Sequence, residues 1–589
     1  MILSAIAIAS SMHACPLAFQ DDVRFADMAP QSSMLVIAAD DLAGMISKFE
    51  KSPLHGICEV DAVKEMMADT FGNAAEAMAG MDGDFDPSRL MSAKSLGFSI
   101  YVDLDEETGQ SRAFVLGYGD WGDESDNTQA AIDMMFDQGR KAGMLELDER
   151  EVRGREVKVV TTIEVEGDDA DDFDNFDQMM MFGDPSTMLP NMDTMYVVRD
   201  GSRFMFANDL IAIDDALAVL DGDGGESVRD ARDWQEITGM LGDPDVYLVM
   251  RFAPLGELMA PMMMGPLGMA EPMMDEFFGG MEGIGATFDV AGDASALGMI
   301  ESRVAVYAPG DRAGFMSLMN NTSPMNMVPP KMIPADVTSF SRMNMEFKDI
   351  IPMVRDMTAA MPMGGEEIEN NLDMFEPSIK PALDTLGPEI YIFSSFRKPM
   401  AADSASTVAI VPAAEPDRVH PLLATVGPGM GLEPRDFKGE TIWSDDLGGG
   451  SLAVAGNWMI VGDARGVEQT IRAMSGDAES IRDNRIFENS VARMPGGDVV
   501  GWGWSDTVEQ YTAQRESFKQ MMEMMGGFDE FAPEVQAGGQ GSELLIEFFN
   551  ELSPDDISAF VGPGLWTVTA PENGWLYKVW MLPPTKQAG

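Results

Sequence analysis

Leu96-Gly97-Phe98-Ser99-Ile100-Tyr101 returns 290 positions later as Leu386-Gly387-Pro388-Glu389-Ile390-Tyr391. Each copy opens a run in which apolar and polar residues alternate, the period of a half-buried strand. A second such run follows each. In the first copy the predicted pair is 98–104 and 112–117, joined by the turn-rich Asp105-Glu106-Glu107-Thr108-Gly109. In the second it is 389–393 and 407–411. The glycine of each copy reads as a turn device, and helical spacing over 128–139 and 417–425 predicts a helix after each pair.

Other anchors keep the same order. Pro30 leads into the apolar Met34-Leu35-Val36-Ile37-Ala38-Ala39, then Asp40-Asp41 as N-cap and Leu42, Met45, Ile46 and Phe49 at helical spacing. Pro334 leads likewise into alternation over 337–343, Asn344 as a cap, and Met345, Phe347, Ile350 and Ile351. Arg150-Glu151-Val152-Arg153-Gly154 matches Arg435-Asp436-Phe437-Lys438-Gly439 at an offset of 285, a strand turning at glycine into a hairpin. Ser227-Val228-Arg229-Asp230-Ala231-Arg232 matches Ser480-Ile481-Arg482-Asp483-Asn484-Arg485 at an offset of 253. The fall from 285 to 253 places a net insertion of 32 residues in the acidic, Met-rich stretch near 164–195. Weaker relatives of the opening motif at 283–288 and 561–566 have partner runs at 300–307 and 575–582. A period near 300 residues means duplicated domains, not a solenoid. Regular strand–helix alternation is missing, which favours an α+β fold: two tandem homologous halves, mostly antiparallel sheets of hairpins with flanking helices. The halves are read as 28–325 and 331–583, divided at Asn326-Met327-Val328-Pro329-Pro330.

The bulk composition supplies ample apolar material for packed cores: 45% of the 589 residues are hydrophobic and 23% charged. With 39 basic and 99 acidic side chains the net charge is −60. Such a surface repels phosphate backbones, which argues against a nucleic-acid partner. The acids are spread along the whole chain, the pattern of a salt-adapted surface screened by its medium. Residues 1–20 read as a signal peptide: the short apolar run Ile2-Leu3-Ser4-Ala5-Ile6-Ala7-Ile8-Ala9 is followed by small residues and then Asp21-Asp22. Export to the periplasm or the extracellular space is expected. Met12-His13-Ala14-Cys15 loosely resembles a lipoprotein cleavage box, so anchoring at Cys15 is the minor alternative. No later stretch is long and apolar enough for an integral membrane span. Removal of the leader after Cys15 leaves Cys58 as the one thiol, so no intramolecular disulfide forms.

The signal, the Pro-led strand plus helix, the Leu-Gly hairpins and the Ser480-Ile481-Arg482-Asp483-Asn484 helix start together resemble large exported proteins of planctomycete-type bacteria, classed under domains of unknown function. The resemblance would span most of 28–583. It implies no catalytic residue.

Nothing in the chain spells a reaction. His55 and Cys58, in Pro53-Leu54-His55-Gly56-Ile57-Cys58, lack the further ligands a zinc or copper site needs, and Cys58 sits in a packing context. His420 reads as a surface or cap residue. Asp82-Gly83-Asp84-Phe85-Asp86 has calcium-loop spacing, but Pro87 and Ala93 stand where glycine and a bidentate glutamate belong. Asp221-Gly222-Asp223-Gly224-Gly225-Glu226 and the acids of 168–177 read as solvated turns, and Gly448-Gly449-Gly450 as a hairpin turn. Trp502, Trp504, Trp566, Trp575 and Trp580 read as sheet-core residues rather than a carbohydrate platform.

The distinctive feature is 53 methionines, many of them in runs. Three readings compete: gap-filling in cores, an adaptable apolar groove, and Cu(I) capture by exposed thioethers. Doublets and triplets exceed what one helix face can bury, since consecutive positions point about 100° apart. The apolar contact surface is therefore assigned to Met179, Met180, Met181, Met262, Met263, Met264, Met273, Met274, Met521, Met522, Met524 and Met525. The function expected is that of an exported, acidic, non-catalytic envelope protein that binds a protein or apolar ligand through these segments. No cofactor is expected. The alternatives are a purely structural, salt-adapted envelope protein, a carboxylate-dependent hydrolase and a Cu(I)-binding protein.

Overall fold

Strand β1 (Ser33–Ala39) lies inside a ten-strand set, paired on both edges. The computed structural model describes residues 24–60, 63–64, 92–104, 111–163, 193–223, 226–256, 280–291, 297–310, 312–359, 365–398, 404–445, 449–524 and 552–584. After β1 come β2 (Ser95–Leu104), β3 (Ser111–Asp120), β4 (Leu145–Val152), β5 (Arg155–Thr162), β6 (Thr194–Asp200), β7 (Arg203–Ala207), β8 (Val246–Arg251), β9 (Gly283–Val290) and β10 (Ile300–Tyr307). Ten more follow: β11 (Val337–Asn344), β12 (Glu389–Phe396), β13 (Ala405–Pro412), β14 (Glu433–Phe437), β15 (Glu440–Ser444), β16 (Ser451–Ala455), β17 (Trp458–Gly462), β18 (Val499–Ser505), β19 (Gly564–Thr569) and β20 (Gly574–Met581).

Hydrogen bonding orders the first set β4-β5-β6-β7-β3-β2-β1-β8-β9-β10. The second set runs β14-β15-β16-β17-β13-β12-β11-β18-β19-β20, the same order. Every pairing is antiparallel. Strands β10 and β20 pair from Ile300↔Met581 to Tyr307↔Gly574, so the two sets form one 20-stranded sheet. The fold is thus α+β and antiparallel, with one continuous sheet in place of separate ones.

Local details coincide between the sets. A bulge falls between Ser33 and Leu35 in β1, and between Val337 and Ser339 in β11. Isolated bridges join Pro30 to Ser227 and Pro334 to Ser480. Capping boxes link Ser227 with Asp230 and Ser480 with Asp483. The β4–β5 turn holds Arg153 and Gly154 at φ 49° and 75°, and the β14–β15 turn holds Lys438 and Gly439 at 57° and 85°, the left-handed pair a tight hairpin requires. Arg153 faces Asp223 and Lys438 faces Asp477 in ion pairs.

Two expectations about the opening stretch need correction. Leu96-Gly97 lies inside β2, whereas Leu386 makes an isolated bridge to Ala413 ahead of β12. The ladders match Ser99 with Phe393, because Val36 faces Ser99 and Phe340 faces Phe393; the offset is 294, against 290 for the Leu-Gly words. Gly97 is also not a turn residue. A Cβ there would stand 2.1 Å from the Phe25 ring, so the glycine admits a close approach. A third correction concerns Asn344. It ends β11, and its amide donates to the carbonyls of Asn321 and Ser323 instead of capping a helix.

Helices cover both faces. The helices Leu210–Asp221 and Arg232–Leu241 bury Ile213, Leu217, Trp234 and Ile237 against Val36, Tyr101, Leu116 and Met205. The helices Ala464–Met474 and Arg485–Val491 do the same with Val467, Ile471 and Phe487 against Phe340, Phe393, Ile410 and Trp502. In a further cluster Leu42, Met45, Ile46 and Phe49 of the helix Leu42–Lys51 meet Tyr511, Leu552 and Ile557 from the far end of the chain. The buried Cys58 belongs to the same cluster, the packing role its sequence context predicts. Trp502, Trp504, Trp575 and Trp580 are buried likewise. The outer strands carry charge and proline (Glu146, Asp148 and Glu149 on β4, Pro434 and Asp436 on β14), which discourages edge-to-edge association.

Candidate functional site

β1 ends at Ala39, and the two aspartates after it separate in role. Asp41 caps the helix Leu42–Lys51, accepting from the Gly44 N–H at 2.8 Å, with Lys48 and Lys51 in the last turn where the helix dipole favours cations. Asp40 is left for something else. It stands beside Arg24, whose Nε is 3.9 Å from its Oδ2, too far for a hydrogen bond. Arg24 Nη1 instead donates to Asp243 at 3.1 Å. Asp243-Pro244-Asp245 leads into β8, where Asp245 holds Lys48 at 2.5 Å and accepts from the Val290 N–H. Two residues beyond Asp245, Tyr247 packs edge-on to Trp234, ring centres 5.9 Å apart.

These groups wall a cleft at the ends of β1, β2 and β8. One lobe, about 410 Å³, lies between Arg24, Asp40, Arg229, Trp234 and Tyr247. The other, about 540 Å³, extends past Lys48, Lys94 and Asp120. Arg24, Asp40, Asp243 and Pro244 line both. Asp40 Oδ1 is buried without a hydrogen-bond partner. Tyr247, 7% exposed, lines the first lobe. Burial pushes the Asp40 carboxyl above its ordinary range, opposed by the nearby Arg24. Burial likewise raises the Tyr247 hydroxyl, helped by the Asp40 charge, so it stays protonated at neutral pH.

The arrangement suits a ligand that supplies a donor to Asp40 and an acceptor to Tyr247. A raised carboxyl is also what a general acid requires. Neither His55 nor His420 lines the cleft. Among the described residues no group of three His, Cys, Asp or Glu could hold a metal ion, and no helix is long and apolar enough to cross a membrane.

A pH consequence follows from Asp40. Its folded-state value lies above the ordinary 3.8, so between the two the folded chain holds a proton the unfolded chain has lost. Stability therefore falls as pH rises through that window, and the full penalty is present above it. Asp40→Asn keeps the shape without the charge. The variant is expected to melt higher than the parent at pH 7, with the difference shrinking towards pH 4, as scanning calorimetry at both pH values would show. A lower melting temperature at pH 7 would mean that attraction to Arg24 outweighs desolvation.

The sequence-assigned contact residues do not form this site. Met179, Met180, Met181, Met262, Met263, Met264, Met273, Met274 and Met525 lie outside the described residues, as do the leader and the acidic stretches at 82–86 and 168–177. Met521, Met522 and Met524 fall on the helix Thr507–Met524, with side chains outside the description. Elsewhere Met28, Met45, Met205, Met299, Met332 and Met353 are buried, filling cores, while Met374 and Met430 are exposed. Asp221 pairs with Arg155, and Gly222 closes its helix in the left-handed conformation, as a solvated turn would. Sequence reasoning missed Arg24, Trp234, Asp243 and Tyr247. The available signal was the Asp40-Asp41 doublet, of which a helix N-cap uses one member.

No protein-family model matches the chain, and no curated protein matches it. One solved structure, "Structure of crystal form I of TP0453", is similar over 45% of this chain and 82% of that chain, at 9% identity and a TM-score of 0.23. A likeness at that TM-score carries no argument.

Proposed function

We propose that this is an exported, acidic binding protein whose ligand site is the cleft at Arg24, Asp40 and Tyr247, carried on a scaffold made by tandem duplication. The observation that carries the binding reading is Asp40 Oδ1, a buried carboxylate oxygen without a hydrogen-bond partner in a cleft that Tyr247 also lines. A buried polar group left unpaired costs roughly 1–3 kcal/mol, a cost that a ligand can recover. Binding is assigned to the cleft because its lining and its unpaired carboxylate oxygen are described, whereas the described methionines divide between buried ones such as Met45 and Met205 and exposed ones such as Met374 and Met430. The shared strand order, bulges, bridges and capping boxes support duplication. Export is supported by the apolar leader and by the net charge of −60, which suits a salty exterior.

The binding reading is tested by a thermal-shift screen of small peptides, amines, sugars and carboxylates against the parent, Asp40→Asn and Tyr247→Phe. A ligand at 100 times its Kd stabilises by about 2.7 kcal/mol. Compounds that raise the melting temperature of the parent and lose that effect in both variants are the expected result. Compounds indifferent to both substitutions, or none at all, overturn it. Export is checked on the protein recovered from its native cells. A mature N-terminus between residues 15 and 28 is expected, and an intact Met1 in a cytosolic fraction would refute it.

A further inference from the structure

We propose that the cleft takes an extended peptide bearing a cationic group, a lysine, an arginine or a free α-amine, laid across the ends of β1 and β8. The proposal rests on the binding reading above and adds the ligand's chemistry. It comes from comparing the cleft with the same place in the second set. Tyr247 faces Ala38 across the β1–β8 ladder, and Trp502 faces Arg342 across the β11–β18 ladder. Asp40 and Asn344 each stand two residues beyond that strand partner. The cleft of the first set therefore corresponds to the ends of β11 and β18 in the second.

There the place is filled by the chain itself. The stretch Asn321-Thr322-Ser323-Pro324-Met325-Asn326 has no regular secondary structure and is held by its backbone. Asn344 Nδ2 donates to the carbonyls of Asn321 and Ser323, at 3.0 and 2.7 Å. Trp502 Nε1 donates to the Asn326 carbonyl at 3.3 Å, and Arg342 to the same oxygen at 2.7 Å. The Met325 N–H donates to the Val499 carbonyl at 2.9 Å. An extended peptide is thus the kind of occupant this strand-end geometry seats.

The substitutions between the two places define what differs in the first. Tyr247 replaces Trp502 and keeps a donor for a peptide carbonyl. Asp40 replaces Asn344 and exchanges a donor for an acceptor carrying charge, so the group before it must be an N–H or an ammonium rather than a carbonyl. Charge-assisted hydrogen bonds to such a donor are the stronger class. Trp234 and Tyr247 add aromatic walls, which favour cations.

The test uses the full chain and fluorescent pentapeptides. Acetyl-Gly-Lys-Ala-Lys-Gly-amide is compared with its Glu-for-Lys counterpart and with spermidine, all in 0.5 M NaCl to suppress general attraction to the acidic surface. The lysine peptide is expected to bind, and at least tenfold more tightly than either comparator. Asp40→Asn and Tyr247→Phe are each expected to weaken it about tenfold. The Tyr247→Phe arm changes no charge, so a loss there cannot be an ionic-atmosphere effect. Equal binding to parent and variants, or spermidine binding as tightly as the peptide, overturns the proposal. So does failure of the peptide to bind. If a sugar or carboxylate from the screen binds through Asp40 and Tyr247 while the peptide does not, the site stands and the peptide inference falls. If nothing binds there, both fall.

Discussion

Asp233→Ala is expected to destabilise the protein by about 3–5 kcal/mol, the cost of leaving a buried charge without its partner. Arg251 ends β8, and both residues are almost enclosed, at 6% and 7% exposed. Arg251 Nε donates to Asp233 Oδ2 at 2.7 Å, while its Nη1 donates to the carbonyls of Ser33 and Gln31 at 2.9 and 2.5 Å. The guanidinium thus ties β8 to the entry of β1, and Asp233 holds it there. Asp233 also accepts from the N–H of Trp234, the residue that walls the cleft. The double variant Asp233→Leu with Arg251→Met removes both charges and keeps apolar volume, so it should lie closer to the parent than the single variant does. Urea midpoints of the three proteins check this. A single variant within about 1 kcal/mol of the parent would show the pair to be dispensable. The single variant should also weaken ligand binding in the cleft, because the Trp234 wall loses its anchor.

The parts of this architecture legible in the sequence are those fixed by backbone chemistry. Pro30 and Ser227 bridge, as do Pro334 and Ser480, and the capping boxes that follow leave the readable pattern Ser-x-x-Asp. The left-handed turns at Gly154 and Gly439 are equally visible, since few residues tolerate that conformation. Register is not legible in the same way. Strand periodicity is two, so a run such as 96–101 announces a strand without saying which residue faces which. The Leu-Gly words look equivalent but sit four positions apart in the ladder, because the close approach of Phe25 demands Gly97 while Gly387 lies against Pro412. Joining β10 to β20 is likewise a pairing of distant segments that no local pattern signals. The cleft is the extreme case. Its walls come from residue 24, from 40, from 229–234 and from 243–247, and they meet only because β1 pairs with β8. Methionine runs draw the eye in the sequence for a different reason, composition, which carries no geometry.

Trp502→Ala tests the second set's version of that strand end, with an expected loss of about 3–5 kcal/mol. Trp502 is fully buried, its ring centre 5.0 Å from that of Phe340 and 6.3 Å from that of Phe487. Truncation removes the aromatic volume and also the Nε1 donor to the Asn326 carbonyl. Trp502→Phe separates the two effects, retaining most of the packing but not the donor, and should cost about 1 kcal/mol for the hydrogen bond plus a smaller cavity term. Amide exchange at Met325 reads the local consequence, since its N–H is held by the Val499 carbonyl on the same strand as Trp502. In Trp502→Ala that amide should exchange faster by more than the global loss of stability accounts for. In Trp502→Phe its protection should change only modestly, because Arg342 still holds Asn326 at 2.7 Å. Unchanged Met325 exchange in Trp502→Ala would show that the segment is seated by Arg342 and Asn344 alone. Tyr247, the matching residue of the first set, could then not be expected to hold a peptide by a single hydroxyl.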